Sequence, residues 1–236
     1  MSAIAAVIFD CDGVLVDTER DGHRVAFNRA FAEQGVAAQW SVERYAELLS
    51  TAGGKERMIR HFDETGWSVA AAERDGLIKA LHKRKTDLFM ELIEAGSLPL
   101  RPGIARLADE AIAAGLRLAV CSTSNERAVT RLVEVMLGSS RARHISIFAG
   151  DIVAAKKPDP AIYNLAARTL ALDPRRCVVV EDSHIGLTAA RAAGMRCIVT
   201  RSAYTADEDF RLADIVVPDL DVGIGLAHCR ALVERY

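Results

Sequence analysis

The stretch AAVIFDCDGVLVDT, residues 5–18, decides how this chain is read. Residues 5–10 form an apolar run that ends on Asp10. Such a run, without helical spacing, reads as a strand covered on both faces. Asp12 and Gly13 come next, so a buried strand, two carboxylates and a turn residue stand in immediate succession.

Similar runs recur at 117–121, 145–149, 177–180, 196–199 and 215–217. Amphipathic stretches at 104–114, 126–137, 161–170 and 185–193 lie between them. Strands alternating with helices predict an α/β fold with a parallel sheet, whose ligands gather beyond the carboxyl ends of the strands. From about 18 to 96 the rhythm breaks: 25–33, 42–49, 56–65 and 71–94 have helical spacing with no strand between. This reads as a helical block inserted after the first strand. Its exit is 95–103, punctuated by Gly96, Pro99, Pro102 and Gly103. The expected division is a core domain of 1–16 and 97–236 and a cap domain of 17–96.

With 50% hydrophobic and 26% charged residues, the chain has the composition of a globular protein. A formal net charge of −2 gives no electrostatic case for nucleic acid or an anionic membrane. No apolar run approaches the ~20 residues needed to cross a bilayer. The N-terminus has no basic leader and its apolar run ends in acids, so a buried strand is expected there rather than a signal peptide. Cys11, Cys121, Cys177, Cys197 and Cys229 form no CxxC pair, so neither a zinc site nor a disulfide framework is expected. A cytoplasmic monomer is the expected state.

The chemistry-bearing residues follow the strands. Asp10 and Asp12 follow the first, Ser122 the second, Lys157 lies beyond the third, and Glu181 and Asp182 follow the fourth. In a parallel sheet all of them can meet at one edge. The inventory suits phosphate-monoester hydrolysis, a reaction slow enough to need a nucleophile, charge neutralisation and positioning together. Asp10 is the candidate nucleophile and Asp12 the candidate acid and base. Carboxylates facing a phosphate need a cation, and an all-oxygen ligand set favours Mg²⁺. The candidate ligands are Asp10, Asp182, the Asp12 backbone carbonyl, and Glu181 through water. Ser122 and Lys157 would bind the phosphoryl oxygens, with Thr123, Ser124 and Asn125 beside them at a helix N-terminus.

Plainer readings exist for each residue. Asp10 and Asp12 could form an ordinary turn, Ser122 could be a helix cap, and Glu181 could be a buried hydrogen-bonding acid. In the cap, Gly53 and Gly54 permit a tight loop with Lys55 and Arg57 beside it, which is either a second phosphate site or a simple helix entry. The HKRK run at 82–85 would ordinarily be a solvated face.

Taken together, DCDGVLVDT, CST, KKPDP and EDS resemble the haloacid dehalogenase-like superfamily along nearly the whole chain. AFNRAF, GGKERM, LRPGI, LRLAVCST, AAKKPDPAIY, VVVEDSHIGL and AGMRCIVT resemble its CbbY-like subfamily. That group is associated with dephosphorylating xylulose-1,5-bisphosphate, an inhibitor of Rubisco. The resemblance implies a Rossmann-like core with an inserted four-helix cap and a small phosphorylated sugar as substrate. It also implies Asp10 as nucleophile, Asp12 as acid/base and Asp182 as metal ligand. Through it Glu19, His23 and Lys85 become cap candidates for substrate binding. TERDGHR at 18–24 departs from the pattern by one extra residue, which bears on Glu19 and His23. Rival functions are a β-phosphoglucomutase-type phosphosugar mutase, a dehalogenase and a non-catalytic phosphosugar-binding module. Asp12 and Asp182 argue against the dehalogenase.

Overall fold

The computed structural model describes residues 3–51 and 53–234. The chain opens with β1 (Ala6–Phe9) and then leaves the sheet through a π-helical turn, Thr18–His23. Four helices follow: α1 (Arg24–Glu33), α2 (Val42–Leu49), α3 (Gly54–Thr65) and α4 (Arg74–Glu94). It returns through α5 (Ile104–Ala113), β2 (Arg117–Ser122), α6 (Glu126–Leu137), the short α7 (Ser139–Ala142) and β3 (Ile145–Ala149). The remaining elements are α8 (Ala161–Thr169), β4 (Cys177–Glu181), α9 (His184–Ala192), β5 (Arg196–Thr200), β6 (Ile215–Val217) and α10 (Leu226–Glu234). Two compact units result, Met1–Asp17 with Leu98–Tyr236, and Thr18–Ser97.

In the first unit the strands form one parallel sheet in the order β3-β2-β1-β4-β5-β6. The strand order reverses at β1, the position beyond whose strand ends sheets of this kind bind their ligands. Every residue of β1 and β4 is buried, as continuous apolar strands require when helices cover both faces. Ala6, Ile8, Cys121, Cys177, Val179 and Val199 share a core with Ile162, Tyr163 and Leu187 of α8 and α9. The alternate residues Val7, Phe9, Val178 and Val180, also buried, point by strand geometry to the opposite face, where α5 packs on β2 and α10 on β4. The cysteines are buried and free.

The second unit is helical, with α1 packed along α4. Phe27, Phe31, Trp40, Tyr45 and Phe62 are its aromatic centre, the Phe27 and Trp40 rings 4.7 Å apart and those of Phe31 and Trp40 5.0 Å. Such pairs contribute about 0.5–1.5 kcal/mol each beyond the area they bury. Asn28 holds the following loop with both ends of its amide, accepting from Trp40 N at 2.7 Å and donating to Trp40 O at 2.9 Å. Most of the TERDGHR segment at 18–24 lies in the π-helical turn, Thr18–His23. Among the described residues no helix is long and apolar enough to cross a membrane.

The carboxylate and lysine cluster at the sheet edge

Asp10 is fixed where β1 ends, because its backbone N–H donates to Val180 O of β4 at 2.9 Å. The chain then turns tightly: Leu15 N donates to Cys11 O at 2.9 Å and Gly13 N to Val16 O at 2.8 Å. Gly13 has a φ of +80°, and a Cβ there would lie 2.0 Å from Asp182 Oδ2. Only glycine fits so close an approach in a left-handed conformation.

Lys157 lies between two acids. Its Nζ donates to Asp10 Oδ1 at 2.6 Å, to Glu181 Oε1 at 2.6 Å and to Cys121 O at 2.9 Å. An ammonium has three N–H groups, and these bonds use all of them. The pairs are nearly dry, with side-chain exposures of 5% for Lys157, 11% for Asp10 and 1% for Glu181. Glu181 is held further by the Tyr163 hydroxyl, which donates to Oε1 at 2.5 Å, and by Asp182 N, which donates to Oε2 at 3.2 Å. A Cβ on Gly186 would strike the Glu181 carboxylate at 2.0 Å, so this acid is closely confined. Asp12 sits in a different setting: Ser124 Oγ donates to its Oδ2 at 2.6 Å and Ser122 Oγ at 3.4 Å.

Four carboxylates near one lysine leave an excess of negative charge. Burial pushes the Asp10 carboxyl up to about 8; Lys157 opposes this, while Glu181 and Asp12 add to it. Asp182 is raised well above the usual range by burial, then by Glu181 and Asp10, against a hydrogen bond from Ser202 and the charge of Arg101. Burial works to lower Lys157, but Asp10 and Glu181 overcome it and hold the ammonium charged. Ligand oxygens of Asp10, Glu181 and Asp182 lie within 4.8 Å of one another. Hard oxygen donors, buried and short of positive charge, fit a divalent cation such as Mg²⁺.

The helical unit has its own polar cluster. The Tyr45 hydroxyl donates to Glu19 Oε2 at 2.6 Å and accepts from Arg57 Nη1 at 3.1 Å. Arg57 also donates through Nε to Thr51 O at 3.0 Å and lies 3.7 Å from Glu19 Oε2. Lys85 Nζ is 3.0 Å from His23 Nδ1 and stands over the Phe27 ring. An ammonium can only donate, so His23 Nδ1 accepts and the ring proton is on Nε2. Burial, then Lys85 and Arg57, hold the His23 pKa well below its usual value. His61 and His82 shift the same way, chiefly through burial.

Acid should therefore weaken this unit. A histidine with a depressed folded pKa binds its proton in the unfolded chain first. Its stabilising effect is complete above about pH 6.5 and is lost as pH falls toward the folded value, at up to about 1.4 kcal/mol per pH unit. His23→Gln should flatten that slope, measured by urea unfolding between pH 7.5 and 5.5. Equal slopes for the two proteins would contradict it.

A family model of haloacid dehalogenase-like hydrolases matches residues 4–194. The chain belongs to that family. It is 56% identical over 239 residues to a CBBY-like protein of Arabidopsis thaliana, covering 98% of this chain and 75% of that protein. A crystal structure of a variant of CbbY from Rhodobacter sphaeroides in complex with xylulose-1,5-bisphosphate is 44% identical, with a TM-score of 0.77 over 95% of this chain and 98% of that one. A putative β-phosphoglucomutase from Thermotoga maritima shares the fold at 22% identity, with a TM-score of 0.72 over 98% of this chain and 99% of that one. Within the haloacid dehalogenase-like hydrolases the chain falls in the CbbY-like branch and is a phosphatase.

The sequence candidates fall into two groups, each within its own unit. Asp10, Lys157, Glu181 and Asp182 meet at one point, with Asp12, Ser122 and Ser124 joined to each other beside them. Thr123 is exposed, and its carbonyl accepts from Lys156 at 3.4 Å. Asn125, rather than Ser122, caps α6, accepting from Arg127 N and Ala128 N. Glu19, Arg57, His23 and Lys85 belong to the helical cluster. Gly53 (φ +92°) and Gly54 form the entry to α3, and Lys55 is exposed just inside it. Tyr163, Tyr45, Ser202 and Arg101 take part in these clusters and were not among the sequence candidates. Tyr163 and Arg101 stand inside AAKKPDPAIY and LRPGI, which is the one signal that could have found them; Tyr45 and Ser202 carry none.

Proposed function

We propose that this phosphatase hydrolyses a small sugar bisphosphate through a phosphoryl-aspartate on Asp10, with xylulose-1,5-bisphosphate as the leading substrate. The observation that carries this is the contrast between the two aspartates: Asp10 lies in the charge cluster with Lys157, while Asp12 is held apart by two serine hydroxyls. One is placed to attack, the other to carry a proton.

An Asp10 carboxylate oxygen forms a bond to phosphorus as the bond from phosphorus to the sugar oxygen breaks. Asp12 gives that oxygen its proton, so the sugar leaves as an alcohol. Asp12, now ionised, takes a proton from water, whose oxygen attacks phosphorus and breaks the Asp10 ester, releasing phosphate. Ser122 and Lys157 stabilise the charge on the phosphoryl oxygens. Lys157 does so by exchanging one of its three present bonds. Bound by Asp10, Asp182, the Asp12 carbonyl and Glu181 through water, Mg²⁺ would neutralise the carboxylates and the phosphoryl group. The helical unit serves as the cap, with Lys55, Arg57, Lys85 and His23 supplying the pocket for the second phosphate; Arg offers it two parallel hydrogen bonds.

A phosphate-release assay over xylulose-1,5-bisphosphate, ribulose-1,5-bisphosphate, fructose-1,6-bisphosphate and glucose phosphates tests this. Release should require Mg²⁺, stop with EDTA and favour a ketose bisphosphate. Arg57→Ala should raise KM for the bisphosphate about tenfold or more and leave a monophosphate nearly unaffected. Activity that survives EDTA would overturn the metal-dependent reading. Interconversion of sugar phosphates without net phosphate release would favour the mutase.

A further inference from the structure

Arg101 lies in the first unit, where the chain has returned from the helical one, and is anchored there, its backbone N–H donating to Leu15 O at 2.8 Å beside the Val16–Leu100 bridge. Its guanidinium reaches into the loops beyond the strand ends. Nη1 donates to Gly13 O and, at 3.0 Å, to Thr200 O; Nη2 donates to Arg201 O at 2.6 Å and to Pro218 O at 2.6 Å. One side chain thus ties together the turn after β1, the end of β5 and the end of β6.

Two of these tied segments are the walls around Asp182. One is Gly13, whose backbone lies so near that a Cβ would be 2.0 Å from Asp182 Oδ2. The other holds Ser202, buried, which hydrogen-bonds the Asp182 carboxylate. The carbonyls of Thr200 and Arg201, the two residues immediately before Ser202, are those Arg101 holds. Thr200 Oγ1 also reaches Glu181 O, 3.5 Å away, at the end of β4. Removing the guanidinium would release both walls at once, and planar, forked donors are what four carbonyls on three separate segments require.

We infer that Arg101 is a positioning residue that sets the place of the Asp182 carboxylate by clamping Gly13 and the 200–202 segment against it. This rests on the reading of Asp182 as a Mg²⁺ ligand. Groups that orient metal ligands without touching the metal typically govern affinity or activity by about 10–100-fold.

The test is calorimetric titration with Mg²⁺ of this chain, both units present, alongside melting of the metal-free forms. Arg101→Met should bind Mg²⁺ about 10–100-fold more weakly. Arg101→Lys should recover only part of the loss, since an ammonium cannot span the carbonyls. Ser202→Ala leaves the clamp intact and opens one wall, so it should weaken Mg²⁺ too, by a smaller factor. Should Arg101→Met fail to fold, the Lys and Ala variants decide the matter. Wild-type affinity in every folded variant would overturn the inference and leave the proposed function standing, even if metal-free melting fell. No Mg²⁺ binding by the wild type would overturn both.

Discussion

Asp10→Asn is expected to give a folded protein that binds its phosphate ester and turns it over at least about 10⁴-fold more slowly. The amide has nearly the shape of the carboxylate but cannot form a phosphoryl ester of comparable reactivity. The backbone anchor to Val180 O is unaffected, and Lys157 keeps Glu181 and Cys121 O as partners. Burial, the largest influence on Asp10, disfavours its charge, with the carboxyl raised to about 8. Replacing that charge by a neutral group should leave the metal-free melting temperature no lower than in the wild type. Two measurements check the covalent route. A phosphate ester labelled with ³²P should mark quenched wild-type protein and leave Asp10→Asn unmarked. Similar turnover by both proteins would exclude the phosphoryl-aspartate.

Lys157→Met should impair both stability and rate. Removing one member of a buried ion pair leaves its partners uncompensated, at a cost of about 3–5 kcal/mol. Here two carboxylates, Asp10 and Glu181, lose the same cation, and Cys121 O loses its donor. A drop in metal-free melting temperature of about 10 °C follows for a unit of this size. The sign of the pH effect is set by Asp10: without the lysine its carboxyl rises further, so protonation relieves the repulsion and the deficit should be smaller at pH 6 than at pH 8. Turnover should fall by about 10²–10³-fold, as when a group that stabilises developing negative charge is removed. A variant as stable as the wild type at pH 8 would show that the pair is not buried as described.

Much of the fold was legible because its signals are local. The run at 5–10 is continuous and apolar, and β1 occupies its centre as Ala6–Phe9. The helices at 126–137 and 42–49 coincide with α6 and α2, each with its own capping residue, Asn125 and Ser41. The stretch at 71–94 was less simple. Its first turn is a 3₁₀ turn, Ala71–Glu73, and α4 begins at Arg74, since helical spacing alone does not separate a tight first turn from the helix it precedes. The C-terminal α10 was not anticipated: its apolar face is short, and its packing partners are distant in sequence.

By itself the sequence determined that a buried strand ends on Asp10, that acids, a hydroxyl and a lysine follow other strands, and that a helical block interrupts the sheet. Periodicity and strand-end composition are properties of neighbouring residues, so they can be read without the fold. Only the tertiary structure decided that Lys157 bridges Asp10 and Glu181, that Ser124 rather than Ser122 is the nearer partner of Asp12, and that Arg101 ties together three loops, two of which adjoin Asp182. Those contacts join residues up to 147 positions apart, as between Lys157 and Asp10, and they exist because the strand order brings β2, β1 and β4 side by side. No local pattern encodes which loops will meet.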